Sequence, residues 1–439
     1  MSNDAPLKRS PITWVPTLYF AEGLPFYAVA FLAGQMYQSL GAANDQVAHW
    51  TSLIGLAWAF KPLWSPFLEL ARSKKALVIA FQLLGGACMG LVALSLQMPA
   101  YLAVSLAAFA ALSIAAATHD IAADGLYIAS LSAKRQAAYA GWQGAFFNGA
   151  RLAAQGGVMY LAGALVAHMA VASAWSIVFG LLALAMIVIA LYHTWALPPG
   201  QAAAHDTHSL RDVFDTLREV LADFFKKPGV WWAVLFIIMF RAGEAQIQTI
   251  GPLFLRDARA HGGLGLGIDQ VGVAYGAAGT IAFLLGSVLG GYFTSWLGLR
   301  RAIVPLILAV NLPNLVYYYF AVAMPESMPL ITALVCVEMF GYGFGFVGVI
   351  LFMMQVLAPG RYQTAHYALG TGVMQLGFIL FKFISGDIQV ALGYEHFFLW
   401  VLICALPVLL LAFWVPMRSP LQAGQGAAQA SADSAPAKA

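Results

Sequence analysis

From about residue 12 to about residue 416 the chain alternates between long apolar runs and brief polar breaks. About 20 apolar residues, rising roughly 1.5 Å each in a helix, span the roughly 30 Å hydrocarbon core of a bilayer. Twelve runs meet that length, at about 12–38, 47–69, 75–97, 100–129, 139–167, 172–197, 229–256, 268–297, 301–323, 327–357, 365–393 and 396–416. The pattern predicts an all-α membrane protein of twelve transmembrane helices. One break is longer than the rest, and it falls after the sixth run. It divides the chain into an N-terminal six-helix bundle (1–197), a connector (198–228) and a C-terminal six-helix bundle (229–417), with a tail (418–439), rich in Ala, Gln and Ser from Gln422 onward, that is expected to be disordered. Such a design suits transporters built from two parallel repeats.

The breaks differ in charge. Arg72, Lys74 and Lys75 follow the second run, Lys134 and Arg135 the fourth, Arg300 and Arg301 the eighth and Arg361 the tenth, while the connector holds Arg211, Arg218, Lys226 and Lys227. The breaks after the first, third, fifth, ninth and eleventh runs contain no Lys or Arg; only the one after the seventh, with Arg256 and Arg259, departs from the alternation. The positive-inside rule then places both termini in the cytoplasm. The composition agrees: 61% of residues are hydrophobic and 9% charged, against about 25% charged in soluble proteins. The net charge of +3 is a signal of topology and gives no nucleic-acid footprint. The N-terminus lacks the short apolar region of a signal peptide, so nothing is expected to be removed. Cys88, Cys336 and Cys404 all lie in apolar runs, without paired spacing or nearby His, and neither a disulfide nor a metal site is expected. No phosphate loop, nucleophile elbow or nucleotide domain is present, which argues against an enzyme, a bound cofactor or an ATP-driven pump.

Charges inside the runs need a reason, because each costs at least about 2.5–3.5 kcal/mol near the bilayer centre and therefore tends to face a watery or protein-lined path. Asp120 and Asp124 stand one helical turn apart on one face of the fourth helix. Counted from the nearest break, Glu22, Lys61 and Asp120 all lie roughly 12 Å inside the cytoplasmic boundary. These four residues are the candidates for proton coupling, with Lys61 neutralising Asp120 or Glu22. A fixed structural tripod, with Asp124 capping the helix end, fits the same spacing. Pro62 and Pro66 mark a helix end that bends. Arg151, Arg241, Glu244, Glu338 and Lys382 fall near the midplane, where transporter folds place substrate. The cations can serve an anionic ligand, or Arg241–Glu244 and Lys382–Glu338 can be internal pairs. Trp58 and Trp142, deep and beside polar residues, are candidates to stack on a sugar ring, with core packing as the alternative.

Ala21-Glu22-Gly23-Leu24-Pro25, Phe60-Lys61-Pro62-Leu63-Trp64-Ser65-Pro66 and His119-Asp120-Ile121 with Asp124 form a set of motifs in the first half. Together they resemble the AmpG-type muropeptide permeases and the wider peptide/acetyl-coenzyme A transporter group of the major facilitator superfamily. Gly290-Gly291 to Gly298-Leu299-Arg300-Arg301 looks like a degenerate copy of that superfamily's loop signature. The chain departs from the permease pattern at Phe67-Leu68-Glu69-Leu70 and at His119, where Gln is more usual. The resemblance implies the major facilitator fold of two six-helix halves, with helices 1, 4, 7 and 10 facing a cavity, which would include Arg241, Glu244 and Glu338. It also implies a monomeric secondary transporter of the bacterial inner membrane, with the lipid bilayer and protons as partners. Its substrate would be a muropeptide or related amino-sugar or oligosaccharide, imported with protons. Another small anionic or sugar solute, or a sensor that does not transport, are the alternatives. Within the tenth run, Gly341, Gly343, Gly345 and Gly348 read as close helix packing or a flexing helix.

Overall fold

The computed structural model describes residues 9–69, 73–131, 133–199, 210–360 and 362–414. Arg72, Arg361 and the 418–439 tail lie outside the described residues. Within them the chain is helical, and no strand forms. The transmembrane helices are α1 (Pro11–Ser39), α2 (Asn44–Glu69), α3 (Lys74–Ser95), α4 (Tyr101–Ser130), α5 (133–166), α6 (Val171–Ala196), α7 (Val230–Arg256), α8 (Ile268–Leu297), α9 (Leu299–Ala323), α10 (Met328–Leu357), α11 (363–392) and α12 (394–414).

Length and hydropathy alone select nine spans among the described residues. One of them, Ala365–Trp414, is two helices: Gly393 takes a φ of 71°, a value that glycine adopts without strain, and turns α11 back into α12. The other two missing spans are α2 and α5, which carry Lys61 and Arg151. Their lower hydropathy comes from polar residues, of which Asn44, Thr51, Ser52, Arg151 and Gln155 are buried.

The connections explain two faces of the bundle. The 198–228 connector emerges on one, here termed the connector side; the turns after α1, α3, α5, α7, α9 and α11 lie on the other, the far side. The halves are tied together on the far side. Arg256 of α7 donates to the Gln35 carbonyl (2.8 Å), to Gln35 Oε1 (2.9 Å) and to Ser39 Oγ (2.8 Å) of α1. Asn44 of α2 donates to Gln389 (2.9 Å) and to the Tyr394 hydroxyl (2.6 Å), and that hydroxyl donates to Asp257 (2.9 Å). His49 meets Asp387 at 2.8 Å and stacks on Phe383. The two main contacts between halves are α2 with α11 and α5 with α8. If α2 corresponds to α8 and α5 to α11, these contacts are images of each other, as two parallel repeats require.

Among the described residues, four helices contain a turn of π-helix, at Ala28–Leu32, Leu152–Val158, Gly272–Gly279 and Met353–Leu357. Such turns commonly mark functional sites, and the first follows Pro25, which cannot donate a backbone hydrogen bond. The glycines of α10 serve packing. A Cβ on Gly343 would strike the Phe283 carbonyl of α8, and one on Gly345 the Leu306 carbonyl of α9.

The connector contributes a helix, Leu210–Lys226, in which Val220 is buried and Phe224 packs into the core of the C-terminal half. Lys227 donates to the carbonyls of Leu357 (2.7 Å), Ala358 (3.3 Å) and Pro359 (2.9 Å), which end α10. Burial lowers the Lys227 pKa from the usual lysine value. Tyr362 donates to Glu219 at 2.8 Å, so the connector is fastened to the turn between α10 and α11.

Candidate functional site

The chemistry gathers in two places: a carboxylate cluster in the N-terminal half and a cavity between the halves. In the cluster, α1 supplies Glu22, α2 Lys61, and α4 Asp120 and Asp124. One oxygen from each of the three carboxylates lies within 4.8 Å of the others. Lys61 Nζ donates to Asp120 Oδ2 at 2.5 Å. The Tyr19 hydroxyl donates to Asp124 at 2.8 Å and accepts from Gln143 of α5. Glu22 Oε2 is enclosed with no hydrogen-bond partner.

Local sequence accounts for this meeting. A Cβ on Gly23 would lie 2.8 Å from the Phe147 carbonyl, so only glycine lets α5 approach the turn that bears Glu22. On α4, Asp120 and Asp124 share one face, while His119 turns about 100° away into the bundle. His119 meets Gln82 of α3 at 3.0 Å; Gln82 meets His193 of α6 at 2.8 Å; His193 meets Thr17 of α1 at 2.9 Å. Gln82, His119 and His193 are buried, and the chain they form fixes the rotation of α4.

Two carboxylates about 4.8 Å apart repel by roughly 3–4 kcal/mol at an effective dielectric of about 20. Three carboxylates with one lysine carry two negative charges in excess when all are ionised. Protons arriving from the aqueous side can offset that excess. Asp124 is exposed and Asp120 is 15% exposed, so the cluster is within reach of water.

The cavity has a volume of about 360 Å³. Phe26, Tyr27, Trp58 and Phe147 line it from the N-terminal half, and Phe283, Tyr342, Phe346 and Phe378 from the C-terminal half. Among its lining residues the charged ones are Arg151 and Lys382, accompanied by the amides of Gln35, Asn148, Gln155, Gln248 and Gln375. It adjoins the cluster: Phe26 is one turn from Glu22 on α1, and Trp58 is one turn from Lys61 on α2.

The remaining midplane residues lie behind this lining. Arg241 pairs with Glu244 at 3.0 Å and sits between the rings of Phe346 and Phe378, at 5.0 and 4.5 Å. Glu338 is 2% exposed, and its Oε2 has no hydrogen-bond partner. Arg151 lies over the Phe283 ring at 4.3 Å, donates to Gln155 at 3.1 Å and reaches Met339 Sδ at 3.8 Å. Lys382 makes no ion pair with Glu338 among the described residues. Trp58 lines the cavity against Phe26; Trp142 stacks on Phe146 and is not among the lining residues. Tyr19, Gln143, Gln82 and His193 escape a reading of the sequence, since a tyrosine near a helix end passes for an interface residue and an isolated amide gives no signal.

A family model described as Major Facilitator Superfamily matches residues 17–382. The anhydromuropeptide permease of Escherichia coli is 24% identical over 406 residues, which are 90% of this chain and 77% of that protein. A Rickettsia prowazekii protein that carries the name AmpG 2 is 24% identical over 203 residues. That match spans 46% of this chain and about half of the relative, 48% of its length. The resemblance seen in the motifs of the first half is thus borne out. Among solved structures, a D-xylose–proton symporter aligns with a TM-score of 0.68 at 12% identity, over 93% of this chain and 99% of that one. A bacterial homologue of the human lysosomal transporter Spinster, in an inward-facing and unoccupied conformation, aligns with a TM-score of 0.66 at 14% identity, over 91% and 95% of the two chains. These likenesses establish the fold.

Proposed function

Because the chain belongs to the major facilitator superfamily and is a membrane transporter of that type, we propose that it imports a muropeptide or a related amino sugar together with protons. The connector side faces the cytoplasm of a bacterium in this reading, in keeping with the positive-inside rule. In this reading the cavity opens toward that side, in keeping with the bonds between halves described above, which lie on the far side.

The observation that carries the reading is the adjacency of two unlike sites. An anionic cluster, able to take up protons, lies one helical turn from an aromatic cavity whose charged lining residues are both cations. Aromatic faces suit a sugar ring, amides suit hydroxyl and acetamido groups, and a cation suits an acid group. Protonation lowers the charge of the cluster, which eases the passage of Glu22, Lys61 and Asp120 between a wet and a closed arrangement of the halves. Closure on the connector side and opening on the far side then complete alternating access.

Proteoliposomes holding the purified chain test this directly. Labelled anhydromuropeptide is expected to accumulate when an inward proton gradient is imposed and only to equilibrate when the gradient is collapsed. Accumulation that ignores the gradient removes proton coupling; transport of other acidic saccharides without the muropeptide removes the substrate and leaves the transporter.

A further inference from the structure

Three cations stand at the midplane, and they are not equivalent. Arg241 is held by Glu244 and lies against the rings of Phe346 and Phe378, behind the cavity lining. Arg151 lines the cavity, yet its guanidinium is stacked on Phe283, engaged by Gln155 and near enough to Glu338 and Glu244 for its charge to act on theirs. Two arginines and two glutamates therefore balance one another. Lys382 is left over.

Lys382 is 6% exposed and lines the cavity, and among the described residues its ammonium group has neither an ion pair nor a hydrogen bond. Its backbone carbonyl accepts from Ser385, which leaves the side chain uncommitted. Gln375, Phe378, Ile379 and Lys382 recur at the i, i+3, i+4, i+7 spacing of one helix face, and all four line the cavity. The amide, the ring and the aliphatic side chain on that face lead toward a single cation with no partner among the described residues. A cation held at such depth needs a counter-charge, and here the ligand is the remaining source.

The geometry points to Lys382 as the residue that selects for one acid group on the transported molecule, with Arg151 and Arg241 serving as internal counter-ions. This rests on the reading of the cavity as the transport site. It commits to a solute that joins a ring, for the aromatic walls, to one carboxylate for Lys382.

Equilibrium binding to the full chain in nanodiscs tests the assignment with matched pairs of acid and carboxamide. The probes are N-acetylmuramic acid and its amide, and glucuronic acid and its amide. The parent is expected to bind an acid at least about tenfold more tightly than its amide, since a hydrogen bond to a charged group is at stake. Lys382→Gln should lose that preference while binding the amide as the parent does, which also shows that it is folded; Lys382→Arg should keep it. The assignment is overturned if Lys382→Gln still prefers the acid, or if the parent treats acid and amide alike in both pairs. If the glucuronic pair alone shows the Lys382-dependent preference, the amino-sugar reading fails and the role of Lys382 stands.

Discussion

The carboxylate cluster of the N-terminal half and the buried charges of the C-terminal half place similar residues in opposite circumstances. Glu22, Asp120 and Asp124 outnumber Lys61, and Asp120 and Asp124 reach water, so the charge of the cluster can change with proton supply. Arg241 and Glu244 are 6% and 4% exposed and matched in number, so their charge is fixed by each other. The contrast separates two uses of charge inside a membrane protein. An unbalanced, wet group can titrate during transport, whereas a balanced, dry pair holds helices in register.

Breaking the dry pair should have the largest effect on folding. Arg241→Gln strands Glu244, and removing one partner of a buried pair costs about 3–5 kcal/mol. The expected outcome is a lower unfolding temperature in detergent, much of it restored in the double variant Arg241→Gln, Glu244→Gln. If the single variant is as stable as the parent, the C-terminal charges are not a structural pair and the contrast fails.

The cavity walls come next. Trp58→Ala removes an aromatic face that lines the cavity against Phe26, and aromatic pairs contribute about 0.5–1.5 kcal/mol beyond burial. The half-saturation concentration for a ring-bearing substrate should rise by up to about tenfold. Trp142→Ala, which alters a ring stacked on Phe146 outside the lining, should leave that value within about twofold of the parent. Equal effects of the two would show that the walls are drawn wrongly.

Tyr19→Phe sharpens the contrast at its wet end with the smallest expected change. It deletes one hydrogen bond to Asp124, and because that carboxylate is exposed, water takes the lost donor's place and holds the effect to about 1 kcal/mol or less. Gradient-driven uptake is expected to fall severalfold, with exchange of labelled for unlabelled substrate held near the parental rate. A parallel fall in both would make Tyr19 a packing residue only.

Depth was legible in the sequence; direction was not. Counting residues from the basic breaks puts Glu22, Lys61 and Asp120 at one level, because helices rise evenly and the turns are short. The same count cannot tell which way a side chain points around its helix. Trp58 and Trp142 look alike in sequence, and helix rotation sends one to the cavity and the other to Phe146. Glu338 and Lys382 share a level near the midplane, yet the first lies behind the lining and the second within it. His119 and Asp120 show the same limit on adjacent positions, since the Gln82–His193 chain that orients them joins α3 and α6. The runs at 47–69 and 139–167 were legible as α2 and α5 from their length, although both are more polar than the other spans because they carry residues such as Lys61 and Arg151.

The division of labour between the two regions is tested most directly by Asp120→Asn in proteoliposomes, with accumulation and exchange of labelled anhydromuropeptide measured on the same preparation. An amide cannot release a proton, whereas the cavity one turn away is untouched. The account predicts loss of accumulation under an imposed proton gradient while exchange continues at close to the parental rate. Accumulation that persists, or exchange that vanishes together with it, would contradict the account.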